Sequence, residues 1–179
     1  MTTHATPTQT DTLAFRKCLS QFPTGVCIVT AGSAEGPIGM TISSFNSLSL
    51  DPPLVLFSID RRAQSLPLWE AAAHCAIHVL AQEQRNLSNR FARPDINKWE
   101  GLNFRTGEDG APILSGAAAI MECQRRAVHD GGDHVLFIER VLRFRTYGDR
   151  KPLMFCQGAY HSLGTEGSHA ELWPLDIHY

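Results

Sequence analysis

Ile120-Met121-Glu122-Cys123-Gln124-Arg125-Arg126-Ala127-Val128 leads through His129-Asp130-Gly131-Gly132-Asp133-His134 into Val135-Leu136-Phe137-Ile138-Glu139-Arg140-Val141-Leu142-Arg143-Phe144. Two long runs rich in β-branched and aromatic residues flank a Gly-Gly pair, and that pattern predicts a long antiparallel hairpin turning at Gly131-Gly132. Similar runs, bounded by Gly, Pro and Asp, cover Val26 to Ala31, Ile38 to Ile42, Leu54 to Ile59, Cys75 to Leu80 and Leu153 to His161. Helical signals are fewer: Thr12 to Gln21, Ser65 to Ala73 with Pro67 in the first turn, and Glu83 to Phe91. The strands follow one another without a regular helix between them. The expected fold is therefore mainly β with a few helices, as a closed or split barrel rather than a doubly wound parallel sheet.

At 179 residues the chain suits one domain with a real core, and 43% hydrophobic against 19% charged content is that of an ordinary globular protein. We expect a flexible tail over 1–11, one domain over 12–163 and a C-terminal tail over 164–179. In that last tail Leu172-Trp173-Pro174-Leu175 needs apolar cover, from a second subunit or from its own chain. A net charge of -2 with only local Arg clusters argues against nucleic acid as partner. The five cysteines form no CxxC pair and mostly sit in apolar contexts, as expected for free thiols in a reducing compartment. Met1 to Asp11 has neither a basic start nor an apolar run, so neither a signal peptide nor a membrane partner is expected, and the expected location is the cytoplasm.

Three segments can carry chemistry. Gly39-Met40-Thr41-Ile42-Ser43-Ser44-Phe45-Asn46-Ser47 places hydroxyls and an amide in sequence with no charge. Such neutral donors suit the ribityl chain and polar edge of an isoalloxazine ring, although a Ser/Thr-rich turn has the same composition. Phe57-Ser58-Ile59-Asp60-Arg61-Arg62-Ala63-Gln64-Ser65 runs from a strand end into a helix that Ser65 could cap, an arrangement suited to phosphate or, equally, to a solvated surface helix. In His129 to His134, two His and two Asp share one tight turn, a poor geometry for converging on a metal ion, so we expect no metal. His134 alone is the functional candidate, as an imidazole that hydrogen-bonds a nicotinamide or flavin. No Gly-x-Gly-x-x-Gly follows a strand, and no Gly-x-Ser-x-Gly elbow is present, so neither a Rossmann-type nucleotide site nor a hydrolase elbow is available.

Taken together, the ordered landmarks Phe22-Pro23-Thr24-Gly25-Val26, Gly39 to Phe45, Ser49-Leu50-Asp51-Pro52-Pro53-Leu54-Val55, Gly132-Asp133-His134, and Pro152-Leu153 ahead of Gly158-Ala159-Tyr160 resemble the flavin reductase domain family. These are the short reductase components of two-component flavin-dependent monooxygenases, built on an FMN-binding split β-barrel. The resemblance spans about Phe15 to Leu163. It implies that Thr41, Ser43, Ser44 and Phe45, with Asn46 beside them, wrap FMN or FAD. It further implies that Ser58, Arg61 and Ser65 lie near the phosphate and that His134 faces the nicotinamide of NADH or NADPH. It also implies a homodimer with flavin sites near the interface and a separate monooxygenase partner. Phe91, Lys98 and Trp99 fall in a segment resembling the family's variable pocket cover, and Arg93 or Lys98 could meet the extra phosphate of NADPH. The chain departs from the pattern at Glu139, where the family often has glycine. Two other readings remain open on the same barrel: a flavin-bound oxidoreductase acting on a corrinoid or metal chelate, and a non-catalytic flavin-binding protein.

Overall fold

The computed structural model describes residues 12–94 and 96–164. The expectations for the two tails, including the Leu172-Trp173 anchor, fall outside the described residues. In chain order the elements are α1 (Thr12–Leu19), β1 (Thr24–Gly25), β2 (Cys27–Ser33), β3 (Gly36–Ile42), β4 (Asn46–Leu50), β5 (Pro53–Asp60), α2 (Leu66–Ala71) and β6 (His74–Val79). A 3-10 turn (Gln82–Gln84) leads into α3 (Arg85–Ala92), followed by β7 (Phe104–Thr106), β8 (Pro112–Leu114), β9 (Ala119–Gly131), β10 (His134–Thr146), β11 (Met154–Cys156) and β12 (Ala159–His161). Seven strands form one antiparallel sheet in the order β3-β2-β6-β9-β10-β5-β4, which is not closed on itself, as in a split barrel. A small sheet, β1-β11-β12, and the β7-β8 hairpin lie beside it.

Alternation along the strands places the core. On β5, Val55, Phe57 and Ile59 are buried, and on β10 Val135 and Phe137 face them. Phe57 stacks on Phe137 with centroids 5.3 Å apart, and Trp69 from α2 meets Phe57 edge-on at 6.4 Å. Five successive residues of β2, Cys27 to Ala31, are buried because this strand is covered on both faces. Cys27, Val29 and Ala31 point into the barrel, whereas Ile28 packs outward with Leu80, Phe91, Leu114 and Leu153. Buried His78 ties the layers: its Nδ1 lies 3.0 Å from Ile28 O, and Leu114 N–H donates to its Nε2 at 3.0 Å.

Several expectations need correction. The run Leu153 to His161 is two strands, since Gln157 (φ 50°) and Gly158 (φ 78°) turn the chain back and β11 pairs with β12. The long hairpin turns one residue later than expected. Gly131 already pairs with His134, so Gly132 (φ 76°) and Asp133 occupy the corner positions, with glycine at the first as in a type II′ turn. Ser65 stands at the N-cap of α2, but its side chain makes no capping hydrogen bond. Glu139 is fully buried and its carboxylate lies 2.7 Å from Arg125 Nε. Ile138 pairs with Ala127 and Glu139 with Arg125, so Arg126 is the extra residue of a β-bulge. Arg125 also donates to Trp69 O at 3.1 Å and lies over the Phe137 ring. Burial pushes the Glu139 carboxyl above its ordinary pKa, against the pull of Arg125.

Candidate functional site

β3 is an edge of the large sheet, and its outward residues wall a cavity of about 420 Å³. The facing walls are the Ala63-Gln64-Ser65 corner between β5 and α2, the end of α3, and the segment reaching Trp99. At Gly39 the strand and the cover approach closely. A Cβ there would stand 2.4 Å from the Phe91 ring and 3.0 Å from Trp99, so only glycine lets that ring lie on the strand. Phe91 is fully buried and meets Trp99 edge-on with centroids 5.1 Å apart. The half-buried Lys98 pins the cover to the strand, its Nζ donating to Phe91 O at 2.9 Å and Gly39 O at 3.1 Å. Burial lowers the pKa of this amine.

Thr41 and Ala92 also line a second cavity of about 180 Å³, whose other walls include Ser43, Ser88, Phe155 and Tyr160. Hydrogen bonds fix this wall. Thr41 Oγ1 donates to Ser88 O at 2.7 Å, Ser88 Oγ and Tyr160 Oη are 2.9 Å apart, and Tyr160 Oη donates to Asn89 Oδ1 at 2.9 Å. The two spaces share Thr41 and Ala92 as walls and lie side by side along β3, one reaching Ser65 and Lys98, the other Ser43 and Phe155.

The candidate residues divide among three places. Thr41, Ser65 and Phe91 meet at the larger cavity, with Ser43 in the smaller one. Ser44 serves the backbone: its Oγ accepts from Ser58 N–H at 3.0 Å and donates to Ser58 O at 3.1 Å, locking the Ser43-Ser44-Phe45 corner onto β5. Phe45 packs partly against the barrel core, and Asn46 is exposed, paired with Leu56 at the start of β4. Arg61 belongs to the hairpin end, where Nε donates to Gly132 O at 2.8 Å and Nη2 meets Asp130 Oδ2 at 2.5 Å. His134 is there too, with Nδ1 2.7 Å from Asp133 Oδ1, which leaves Nε2 as the ring atom available to a ligand. Next to it, hydrogen bonds from Arg62 hold the Asp60 carboxyl well below the usual carboxylate range. Gln64, Asn97, Ser88 and Tyr160 were not among the candidate site residues, although Gln64 and Tyr160 lie within the quoted segments. Ser88 lies in an ordinary helical pattern 72 residues from the Tyr160 it bonds, and no local signal joins them.

Residues 19–164 match the model of the flavin reductase like domain. The chain is 45% identical over 147 residues to the FMN reductase (NADH) SmoA of Agrobacterium fabrum, covering 82% of this chain and 83% of that one. It is 34% identical over 171 residues to the flavin-dependent monooxygenase reductase subunit HsaB of Mycobacterium tuberculosis, covering 94% and 91% respectively. Among solved structures, nitrilotriacetate monooxygenase component B from Mycobacterium thermoresistibile superposes with a TM-score of 0.87 at 34% identity, over 94% of this chain and 96% of that one. The NADH:FAD oxidoreductase SgcE6 of Streptomyces globisporus, solved with NAD and FAD fragments, superposes with a TM-score of 0.85 at 31% identity, over 92% and 99%. The family match runs through every element that walls the two cavities, and the chain belongs to the flavin reductase-like domain family.

Proposed function

We propose that this chain is an NADH-dependent flavin reductase that takes FMN or FAD as a substrate and passes the reduced flavin to a separate monooxygenase. The observation that carries this is the pair of adjoining cavities beside β3. They offer the neutral donors of Ser43, Gln64 and Ser65, the Thr41 hydroxyl oxygen as an acceptor, an aromatic wall at Trp99, and one cation at Lys98. That set suits a ligand with a planar ring system, a polyhydroxyl chain and a phosphate. Flavin supplies the redox chemistry when bound, as acceptor of a hydride from reduced nicotinamide. The chain's own part is to bind and align. Ser44 and its bonds to Ser58 hold the Ser43-Ser44-Phe45 corner rigid beside the cavities. The family resemblance supports a nicotinamide-side role for His134, whose Nε2 is left over by the contact of Nδ1 with Asp133. With no glycine-rich dinucleotide loop, NADH binds against the flavin rather than in a pocket of its own.

Exposed apolar surface supports a dimeric assembly. Leu13, Phe15 and Leu19 of α1 with Phe22, and Leu48 and Leu50 of the edge strand β4, are all exposed. Association of two copies would cover such surface, giving a homodimer. None of the helices among the described residues is long and apolar enough to cross a membrane, and the reading places the enzyme in the cytoplasm, where its thiols stay free. The partner assignment rests on relatives named as monooxygenase reductase subunits. NADH oxidation by the purified protein, with and without added FMN, tests the function. A rate that rises and saturates with free FMN is expected; bound flavin without NADH oxidation refutes it. Sedimentation velocity tests the dimer.

A further inference from the structure

Among the described residues lining the larger cavity, Lys98 supplies the only cation. Its ammonium has three N–H donors. Two are spent on backbone carbonyls, Phe91 O and Gly39 O, which fixes the ammonium in the cavity wall and leaves one donor over. None of the salt bridges found among the described residues engages it, and partial burial has stripped away part of its hydration, which the lowered amine pKa reflects. A half-buried cation held by two dipoles gains from an arriving anion more than a solvated one does. Gln64, Ser65 and Asn97 line the same cavity and add neutral donors. Arg61, by contrast, is outside this cavity lining and turns Nε and Nη2 to Gly132 O and Asp130 within the hairpin.

We propose that Lys98 reads the phosphate of the flavin nucleotide, donating its remaining N–H to a phosphate oxygen while Gly39 O and Phe91 O hold it in place. This rests on the flavin reading above. It makes Lys98 a binding residue, distinct from a strut that merely fastens the pocket cover. The two roles separate by comparing FMN with riboflavin, which has the same ring and ribityl chain without the phosphate.

The experiment measures kcat and KM for FMN and for riboflavin at saturating NADH, and the KM for NADH at saturating FMN, in the wild type, Lys98→Met and Lys98→Arg. Direct flavin binding is followed in parallel by fluorescence without NADH. The wild type should prefer FMN. Lys98→Met should raise the KM and Kd for FMN about tenfold, the loss expected of one charge-assisted hydrogen bond, while riboflavin moves less than twofold. Lys98→Arg should keep most of the preference. Equal weakening of FMN and riboflavin would show a strut only and overturn the proposal, as would no change for either. A rise confined to the KM for NADH would assign the phosphate to the nicotinamide nucleotide and likewise overturn it. If Lys98→Met does not fold, the wild type decides: the Kd for FMN should rise with salt while that for riboflavin stays flat, and parallel behaviour overturns the proposal. Since binding is read without NADH, a protein that binds FMN over riboflavin yet oxidises no NADH would refute the proposed function and leave this inference standing.

Discussion

Lowering the pH should destabilise this protein through His78. The ring is completely buried, and because Leu114 N–H donates to Nε2, the imidazole must be the neutral form with its proton on Nδ1, donating to Ile28 O. Protonating Nε2 would remove that acceptor and bury a charge. Burial is the main reason the pKa falls from 6.5 to about 4, with the charge of Arg105 adding to it and the Ile28 bond opposing it. The folded pKa lies below the unfolded one, so the unfolded chain takes up the proton first. The His78 contribution is complete above pH 6.5 and is lost as the pH falls towards 4. At pH 5 the two pKa values imply a loss of about 2 kcal/mol relative to neutral pH, a substantial part of a typical domain's stability. Urea unfolding of the wild type and His78→Gln at pH 7.5 and pH 5 measures it. Glu139, raised by burial, acts in the opposite direction but is common to both proteins and cancels in the comparison. The wild type should lose about 2 kcal/mol more than the variant between the two pH values. Equal losses would refute the assignment of the acid sensitivity to His78.

Three further outcomes follow from single side chains. Arg125→Met should destabilise by about 3 kcal/mol or more by stranding the Glu139 carboxylate, and adding Glu139→Leu should recover much of that; simple additivity in urea unfolding would count against a coupled pair. Gly39→Ala should cost about 2 kcal/mol and raise the KM for FMN, because its Cβ would displace the Phe91 ring and shift the carbonyl that holds Lys98; unchanged thermal unfolding would contradict the tight approach. His134→Ala should lower kcat about tenfold without abolishing turnover, as expected for a group that orients reactants, and unaltered steady-state NADH kinetics would remove it from the mechanism.

Much of the barrel was legible along the chain because strand alternation is a local property. Val55, Phe57 and Ile59 on β5, like Val135 and Phe137 on β10, repeat every second residue and so announce which face is buried. The Gly pair marked the long hairpin, although a local pattern could not say which glycine would take the positive φ. The turn at Gln157 escaped notice because a non-glycine residue takes the left-handed conformation there, inside an otherwise strand-like run.

The site divides on the same line. The sequence by itself determined the β class, the free thiols and, through ordered landmarks, the resemblance to flavin reductases; it also singled out Thr41, Ser43 and Ser65, which the structure places along the two cavities. Only the tertiary structure decided that Ser44 is consumed by the Ser58 backbone, that Arg61 is committed to Asp130, and that Glu139 is accommodated by a bulge and an ion pair with Arg125. It also placed the cavity's cation at Lys98, whose ammonium is fastened to Gly39, 59 positions earlier in the chain. The physical reason is range. Periodicity and turn chemistry act between neighbours, whereas a hydrogen bond that occupies a donor, or a carbonyl that captures an amine, depends on which distant segments the closed core brings within about 3 Å.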